Sequence, residues 1–224
     1  MSITTNLQKI QNGIPQGVRL VAVSKFHPVE CIEEALQAGQ CIFGESRAQE
    51  FEEKYEKLAL HKEIEWHFIG HLQRNKVKFI VPYVSLIHSL DSLRLYRAIN
   101  REGKKINRVV PCLLQLHIAD EQSKYGFSYQ ECRELLQQGL WKEFEYVKLC
   151  GVMGMATLTN DENRVREEFS GLKQFFEEIK ADFFADDPDF KEISMGMSQD
   201  YKIAIAEGST LIRVGSKIFG ERAY

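Results

Sequence analysis

The sequence predicts a (β/α)8 barrel formed by a single α/β domain, and three features of the chain carry this prediction. Short apolar segments of strand length alternate with amphipathic helical segments along the whole chain, a pattern typical of parallel β/α folds. The alternation repeats eight times, and no G-x-G-x-x-G sequence follows the first strand. This favours a closed barrel over an open doubly wound sheet. No linker rich in Gly, Ser and Pro interrupts residues 1–224, so one domain is expected.

The predicted strands are short apolar runs that end in a polar residue or a glycine. The first lies in "VRLVAVSKFHP", where an apolar run begins at Val18 and is ended by Ser24 and Lys25. Such runs are typical of strands that are buried on both faces. The strands are predicted over residues 18–24, 41–44, 66–70, 84–88, 109–118, 147–154, 192–196 and 210–214.

The helices between these strands are indicated by capping residues and by apolar faces. Ser46 with Gln49, and Ser128 with Glu131, match the capping box that begins a helix. Asp91 is placed to cap a third helix. The longest helix is predicted over 161–181, with an apolar face at helical spacing formed by Val165, Phe169, Leu172, Phe176 and Ile179.

Composition and charge argue against several classes of function. A net charge of −3 gives no basic field that would attract nucleic acid or an anionic membrane. The chain contains no apolar run of about 18 residues, so no transmembrane helix is expected. The N-terminal segment lacks the pattern of a signal peptide. We therefore expect a cytoplasmic protein without nucleic-acid or membrane partners.

Neither disulfide bonds nor a metal site are expected. The 5 cysteines are odd in number and form no C-x-x-C pair, which is typical of reduced, buried thiols. His67 and His71 are four residues apart, the spacing of a metal pair on a helix. However, "EWHFIG" is short, aromatic and closed by glycine, so it reads as a strand.

Lys25 is the first candidate functional residue, because it stands at the end of a core strand. Burial of an unpaired ammonium group is costly, so this side chain either reaches solvent or has a chemical role. In a (β/α)8 barrel, functional residues collect where strands end at the carboxyl face. His67 and His88 lie in or at the ends of the third and fourth predicted strands.

A phosphate site is predicted after the seventh and eighth strands. In "ISMGMS" and "RVGSKIFG", Met197 and Ser198 follow one strand, and Gly215 and Ser216 follow the next. Barrels commonly bind phosphate with these two loops and the start of a short extra helix. Backbone N–H groups and serine hydroxyls can hold a phosphate dianion there. Ser198 is also placed to cap the helix that follows it.

A lysine and a phosphate site at one end of a barrel point to a phosphorylated carbonyl compound. An unprotonated lysine amine can attack a carbonyl carbon. The residues leave two possibilities open: a Schiff-base aldolase acting on sugar phosphates, or a protein that holds pyridoxal 5′-phosphate (PLP).

The whole chain resembles the YggS/PROSC family, the pyridoxal phosphate homeostasis proteins. These resemble the barrel half of bacterial alanine racemases, the fold-type III PLP proteins. The motifs that carry the resemblance, in order, are "LVAVSKFHP", "FGESRAQEF", "WHFIGHLQRNK", "IHSLDS", "DEQSKYGF", "GVMGMATL", "ISMGMSQDY" and "GSTLIRVGSKIFGER".

The resemblance implies a role for five of the candidates. Lys25 matches the lysine that forms an aldimine with the cofactor, and Arg213 matches the arginine that faces the pyridine nitrogen. Three positions match the phosphate-binding residues, and three more are further cofactor-binding candidates. The phosphate-binding positions are Ser198, Gly215 and Ser216. The further cofactor-binding candidates are Met197, His67 and His88.

The resemblance also implies a carrier of PLP rather than an enzyme. The racemases add a second, β-rich domain with a catalytic tyrosine, and this chain ends at Tyr224 soon after "FGER". We therefore expect a monomeric protein that takes part in PLP homeostasis and delivers the cofactor to apo PLP-enzymes, without robust catalysis. The alternatives are a small PLP-dependent amino-acid racemase and a Schiff-base aldolase.

Overall fold

The computed structural model, which describes residues 2–119 and 125–220, is a closed barrel of eight parallel strands. The strands follow one another around the barrel in chain order. The last strand pairs in parallel with the first, with Leu20 opposite Ile212 and Ala22 opposite Val214. This pairing confirms the predicted fold class, because an open doubly wound sheet would leave two edges unpaired.

All predicted strands are present, and most are shorter than predicted. The largest shift is in the fourth, because the Val84 amide donates to the Ile80 carbonyl (3.0 Å) and so completes a helical turn. The strands are β1 (Arg19–Val23), β2 (Ile42–Glu45), β3 (Glu65–Phe68), β4 (Leu86–Leu90), β5 (Val110–Gln115), β6 (Val147–Met153), β7 (Glu192–Ser194) and β8 (Leu211–Val214).

The helices surround the barrel, and two short 3-10 helices cover Arg74–Lys76 and Leu140–Glu143. The longest α-helix closely matches its prediction. Within the described residues the α-helices are α1 (Ile3–Gln11), α2 (Val29–Gln37), α3 (Ala48–Lys57), α4 (Val77–Ile80), α5 (Leu93–Lys105), α6 (Tyr129–Gln137), α7 (Glu162–Phe183), α8 (Tyr201–Ala206) and α9 (Ser216–Phe219).

Of the predicted helix caps, the capping box of α6 is confirmed. The Ser128 hydroxyl accepts from the Glu131 amide at 3.1 Å, and the Glu131 carboxylate accepts from the Ser128 amide at 2.8 Å. The box at Ser46 is wrong: α3 begins after Arg47, without a side-chain cap. The Ser46 backbone is instead packed so closely under Gly70 that a Cβ at Gly70 would lie 2.2 Å from the Ser46 oxygen.

The predicted cap at Asp91 is also wrong by one residue. The Ser92 hydroxyl caps α5 by accepting from the Leu95 amide at 3.3 Å. The Asp91 carboxylate accepts instead from the Ser92 hydroxyl (3.0 Å), and it lies 2.8 Å from the His71 ring.

The barrel interior is apolar over much of its length and polar near one end. A cluster of strand residues, separate from the core beneath the helices, fills the apolar part with Val21, Leu86, Leu113, Met153 and Leu211. Four polar side chains from four strands are also buried: His67, His88, Ser194 and Arg213. This polar group lies next to the site described below.

The remaining predictions about composition can be compared with the described residues. All five cysteines are free thiols. No helix among the described residues is both long and apolar enough to cross a membrane. No group of three or more His, Cys, Asp and Glu side chains in the described ranges could hold a metal ion.

We expect Ser128→Ala to lower the free energy of unfolding by about 1 kcal/mol, because the first turn of α6 loses its hydroxyl acceptor. Ser46→Ala is the matched control, since Ser46 caps no helix, and it should change stability by less than about 0.5 kcal/mol. Urea denaturation of the two variants measures this difference. Equal losses in both variants would contradict the assignment of the caps.

Candidate functional site

A cavity of about 840 Å³ opens at the carboxyl end of the barrel. It is lined by residues that follow β1, β6, β7 and β8. Six of the eight predicted site residues line it: Lys25, Met197, Ser198, Arg213, Gly215 and Ser216. The sequence therefore identified one shared cavity from residues at both ends of the chain.

The loops after β7 and β8 form a cluster of hydrogen-bond donors in this cavity. The Gly215 amide donates to the Ser198 hydroxyl at 3.3 Å, which leaves the hydroxyl hydrogen of Ser198 to be donated. The first amides of a helix have no carbonyl partner within it, and α9 begins at Ser216. A Cβ at Gly215 would lie 3.0 Å from the Val23 carbonyl oxygen, so glycine allows this loop to approach β1.

The hydrogen bond from the Gly215 amide to the Ser198 hydroxyl explains why the predicted helix cap at Ser198 is wrong. Helix α8 begins at Tyr201, after Asp200, without a side-chain cap. The Asp200 carboxylate instead accepts from the Met197 amide at 2.5 Å. Ser198 is thus turned toward the loop after β8.

Arg213 carries a buried positive charge without a carboxylate partner among the described residues. Its guanidinium donates to the Ser194 hydroxyl and, at 3.0 Å, to the Gly154 carbonyl oxygen. Burial lowers the pKa of Arg213 to about 10, against an opposing effect of the Asp200 charge. The group is still cationic at neutral pH, so its charge is available to a ligand in the cavity.

The two predicted histidines do not line the cavity but lie behind Arg213. His88 Nδ1 lies 2.8 Å from the Ser194 hydroxyl, and His88 Nε2 lies 2.9 Å from His67 Nδ1. A guanidinium only donates, so the Ser194 hydroxyl accepts from Arg213. Its own hydrogen finds an acceptor in this network only when His88 Nδ1 is unprotonated. His88 then donates from Nε2 to His67. This chain orients Arg213.

Both histidines are neutral in this chain. Burial lowers the pKa of His67 to about 3, and the charge of Arg19 acts in the same direction. Burial also lowers the pKa of His88 well below its usual value, and electrostatic interactions with His67, Arg213 and Arg19 act in the same direction. The interior of the barrel therefore adds no second positive charge behind Arg213.

The backbone on both sides of Lys25 is hydrogen-bonded to charged side chains of α3. Lys54 Nζ donates to the Ser24 carbonyl oxygen at 2.8 Å, and the Phe26 amide donates to Glu50 Oε1 at 2.6 Å. Phe26 has a φ of 68°, in the left-handed region that non-glycine residues seldom adopt. Lys25 itself is half-buried and lines the cavity.

Glu45 completes this group, which we call the Glu45–Glu50–Lys54 cluster. Lys54 Nζ lies 2.8 Å from Glu45 and 2.7 Å from Glu50, and the Ser24 hydroxyl donates to Glu45 at 2.6 Å. Burial raises the pKa of Glu45 to about 7, although Lys54 opposes this. Glu45 Oε2 is buried without a hydrogen-bond partner among the described residues.

Comparison with known proteins gives the family. The family described as "Alanine racemase, N-terminal domain" matches residues 1–223. A pyridoxal phosphate homeostasis protein of Aquifex aeolicus is 38% identical over 206 residues, covering 92% of this chain and 88% of the relative. One from Escherichia coli is 34% identical, covering 94% and 88%. The chain belongs to the alanine racemase N-terminal domain family, among the pyridoxal phosphate homeostasis proteins.

Solved structures in this family share the fold. PipY of Synechococcus elongatus with PLP bound matches at a TM-score of 0.88 and 33% identity, covering 98% of this chain and 100% of PipY. An alanine racemase of Clostridium difficile matches at a TM-score of 0.75, covering 100% of this chain and 56% of the racemase. Since its identity is only 16%, this second match shows the fold alone.

The sequence analysis missed three residues that contact the candidate site residues or the backbone beside them. Ser194 connects Arg213 to the histidines, and no motif distinguishes it from other strand serines. Glu50 and Lys54 are four residues apart on α3, a spacing that indicates an ion pair. That spacing alone did not indicate that the pair contacts β1.

We expect the ionisation of Glu45 to reduce the stability of the folded protein. The pKa of Glu45 is about 7 in the folded chain, against an ordinary value of 4.5. The folded state therefore holds this proton more tightly than the unfolded state. Its stabilising contribution is fully present below about pH 4.5 and is lost as the pH rises through about 7. The loss is roughly 3 kcal/mol at most.

Chemical denaturation of the wild-type protein and of Glu45→Gln across this pH range measures the effect. The stability of the wild type relative to the variant should fall as the pH rises, because the amide of glutamine does not titrate. The subtraction is needed because His67 and His88, whose pKa values are lowered, contribute stability that is instead lost as the pH falls. A difference that stays constant with pH would contradict the prediction.

Proposed function

We propose that this protein binds PLP in the cavity at the carboxyl end of the barrel and takes part in the homeostasis of that cofactor. One observation carries the proposal: Lys25, the buried charge of Arg213, the hydroxyls of Ser198 and Ser216, and Gly215 line the same cavity. The names of the curated relatives and the structure of PipY with PLP bound support it.

The residues in the cavity fit the chemistry of PLP. A phosphate dianion needs several N–H and O–H donors, which the loops after β7 and β8 supply. The lone pair of a pyridine nitrogen needs a donor, which the guanidinium of Arg213 supplies. An aldehyde needs an amine, which Lys25 supplies. The cavity volume of about 840 Å³ lies in the usual range for cofactor sites.

We assign Lys25 as the residue that bonds to the cofactor. Its neutral amine adds to the aldehyde carbon, and a C=N bond forms as the carbonyl oxygen leaves as water. The reaction needs no other reactant and is reversible. Reversibility suits a protein that both holds and releases PLP. The bond also selects the aldehyde form, because the phosphate contacts alone would not distinguish it from other phosphorylated compounds.

Arg213 has a second consequence for function. When bound, PLP supplies an electron-withdrawing ring that stabilises negative charge on an attached amino acid. A guanidinium stays charged and donates its hydrogen bond without giving up its proton. Arg213 would therefore keep the ring nitrogen unprotonated, which weakens the withdrawal of electrons. This reduces the stabilisation of a carbanion, which a carrier does not need.

The positions of the histidines support the same conclusion. His67 and His88 lie behind Arg213 in the chain that includes Ser194, and neither lines the cavity. Neither is placed to exchange a proton with a substrate bound to Lys25. We propose that the protein holds PLP and passes it to apo PLP-enzymes without robust catalysis of its own.

We predict that sodium borohydride, which reduces a C=N bond to a stable amine, fixes a pyridoxyl group on Lys25. Peptide mass mapping of the protein incubated with PLP and then reduced measures the site, with Lys25→Ala as the control that should lose the label. A label found on exposed lysines such as Lys76 and absent from Lys25 would contradict the assignment. A sugar phosphate trapped on Lys25 in the absence of PLP would indicate an aldolase instead.

We also predict that L-alanine is not racemised at a typical enzymatic rate, on the order of 10 per second. Incubation of the PLP-bound protein with L-alanine in deuterated water, followed by NMR and chiral chromatography, measures this directly. Alanine can still exchange with the amine of Lys25 and release the cofactor, since exchange requires only a second amine. Rapid deuteration of Cα with inversion would identify an enzyme.

A further inference from the structure

The peptide groups on both sides of Lys25 are held by two ionised side chains of one helix. Lys54 donates to the carbonyl oxygen of the peptide group before Lys25, and Glu50 accepts from the amide of the peptide group after it. Both bonds are short, at 2.8 Å and 2.6 Å. The strand end is therefore fixed immediately before and immediately after the lysine.

Packing alone does not explain three buried ionisable groups between α3 and β1. Lys54 and Glu45 are almost completely buried, and Glu50 is largely buried. Removal of charged groups from water costs about as much as their attraction returns, so apolar side chains of similar volume are often equally stabilising. A fold that required only packing between α3 and β1 would not need three ionisable groups there.

The backbone conformation after Lys25 also requires external support. Phe26 has a φ of 68°, and a non-glycine residue adopts this region only when its surroundings hold it there. The hydrogen bond from the Phe26 amide to Glu50 is one such restraint. The guanidinium of Arg47, which lies 4.5 Å from the Phe26 ring centroid, is another. The turn directs the chain away from β1 directly after Lys25.

We propose that Glu50 and Lys54 are positioning residues for Lys25: they set the strand end so that its amine reaches the aldehyde of a cofactor bound by its phosphate. Glu45 has a supporting role, because it holds Lys54 and the Ser24 hydroxyl. This inference rests on the proposed covalent bond between Lys25 and PLP. It gives a role in cofactor binding to two residues of α3, a helix that lines no part of the cavity.

The test compares two ligands that differ only at the reacting carbon. Pyridoxine 5′-phosphate has the ring and the phosphate of PLP but carries an alcohol in place of the aldehyde, so it cannot bond to Lys25. The ratio of its dissociation constant to that of PLP reports the advantage that the covalent bond gives. A structural role alone would change both dissociation constants together and leave this ratio unchanged.

Glu50→Ala and Glu50→Gln form the informative pair of variants. In the structure, Glu50 Oε1 accepts from both the Phe26 amide and Lys54. The single carbonyl oxygen of glutamine can accept both bonds as well, whereas alanine removes them. We expect Glu50→Ala to lower the ratio by at least about tenfold, since a misplacement of about 1 Å can cost up to roughly a hundredfold. Glu50→Gln should keep most of the wild-type ratio.

Two further variants separate positioning from folding. Lys148→Met is the matched control, because it breaks the ion pair with Asp187 (2.9 Å) on the barrel wall far from the cavity, and it should leave the ratio unchanged. The triple variant Glu45→Met, Glu50→Met, Lys54→Met keeps apolar packing between α3 and β1 without the hydrogen bonds. It should fold, as judged by circular dichroism, and have a lowered ratio.

The outcomes separate this inference from the proposed function. A wild-type ratio near one, with no borohydride label on Lys25, would mean that the covalent bond itself is absent. A large wild-type ratio that persists in Glu50→Ala and in the folded triple variant would overturn the positioning role alone. Should Glu50→Ala fail to fold, the triple variant decides. Ser198→Ala with Ser216→Ala should weaken both ligands and leave the ratio unchanged.

Discussion

Closure of the barrel between β1 and β8 is the constraint on which the candidate site depends. Lys25 follows β1, and Gly215 and Ser216 follow β8, so these residues lie near opposite ends of the chain. The parallel register that places Val21 opposite Arg213 brings them to the same edge. Each intermediate β/α unit adds one step around the ring. The Lys25 amine, the Arg213 guanidinium and the residues after β8 are therefore neighbours only when all eight strands are paired.

The polar interior of the barrel extends this constraint to the orientation of Arg213. Its guanidinium donates to Ser194 and cannot accept the Ser194 hydrogen. His88 Nδ1 is the acceptor that keeps this hydrogen bonded, and His88 Nε2 then donates to His67. Each member belongs to a different strand. A shift in the register of any one strand would leave a buried polar group unpaired, which is costly. Strand pairing and the orientation of Arg213 therefore support each other.

The sequence predicted the fold and most of the cavity because both depend on local patterns. The apolar run before Lys25, and the glycines and serines after the last two strands, are visible in short segments. The caps at Ser46, Asp91 and Ser198 were wrong because tertiary contacts use these residues differently. The contact between Glu50 and the Phe26 amide joins a helix to a preceding strand end, and no periodicity encodes it. The position of His67 and His88 behind Arg213 required the closed barrel.

Among the described residues, the buried cations Lys54 and Arg213 differ in how their charges are balanced. Lys54 is matched by two carboxylates and a carbonyl oxygen, so its charge is satisfied within the protein. Arg213 contacts only the neutral oxygens of Ser194 and Gly154 among the described residues, and the histidines behind it are neutral. A buried charge without a counter-ion is costly, and a ligand with an electron-rich atom can reduce that cost. A ligand that accepts a hydrogen bond from Arg213 therefore gains the free energy that the unpaired guanidinium costs the fold. Lys54, whose charge is already paired, instead holds the backbone beside Lys25.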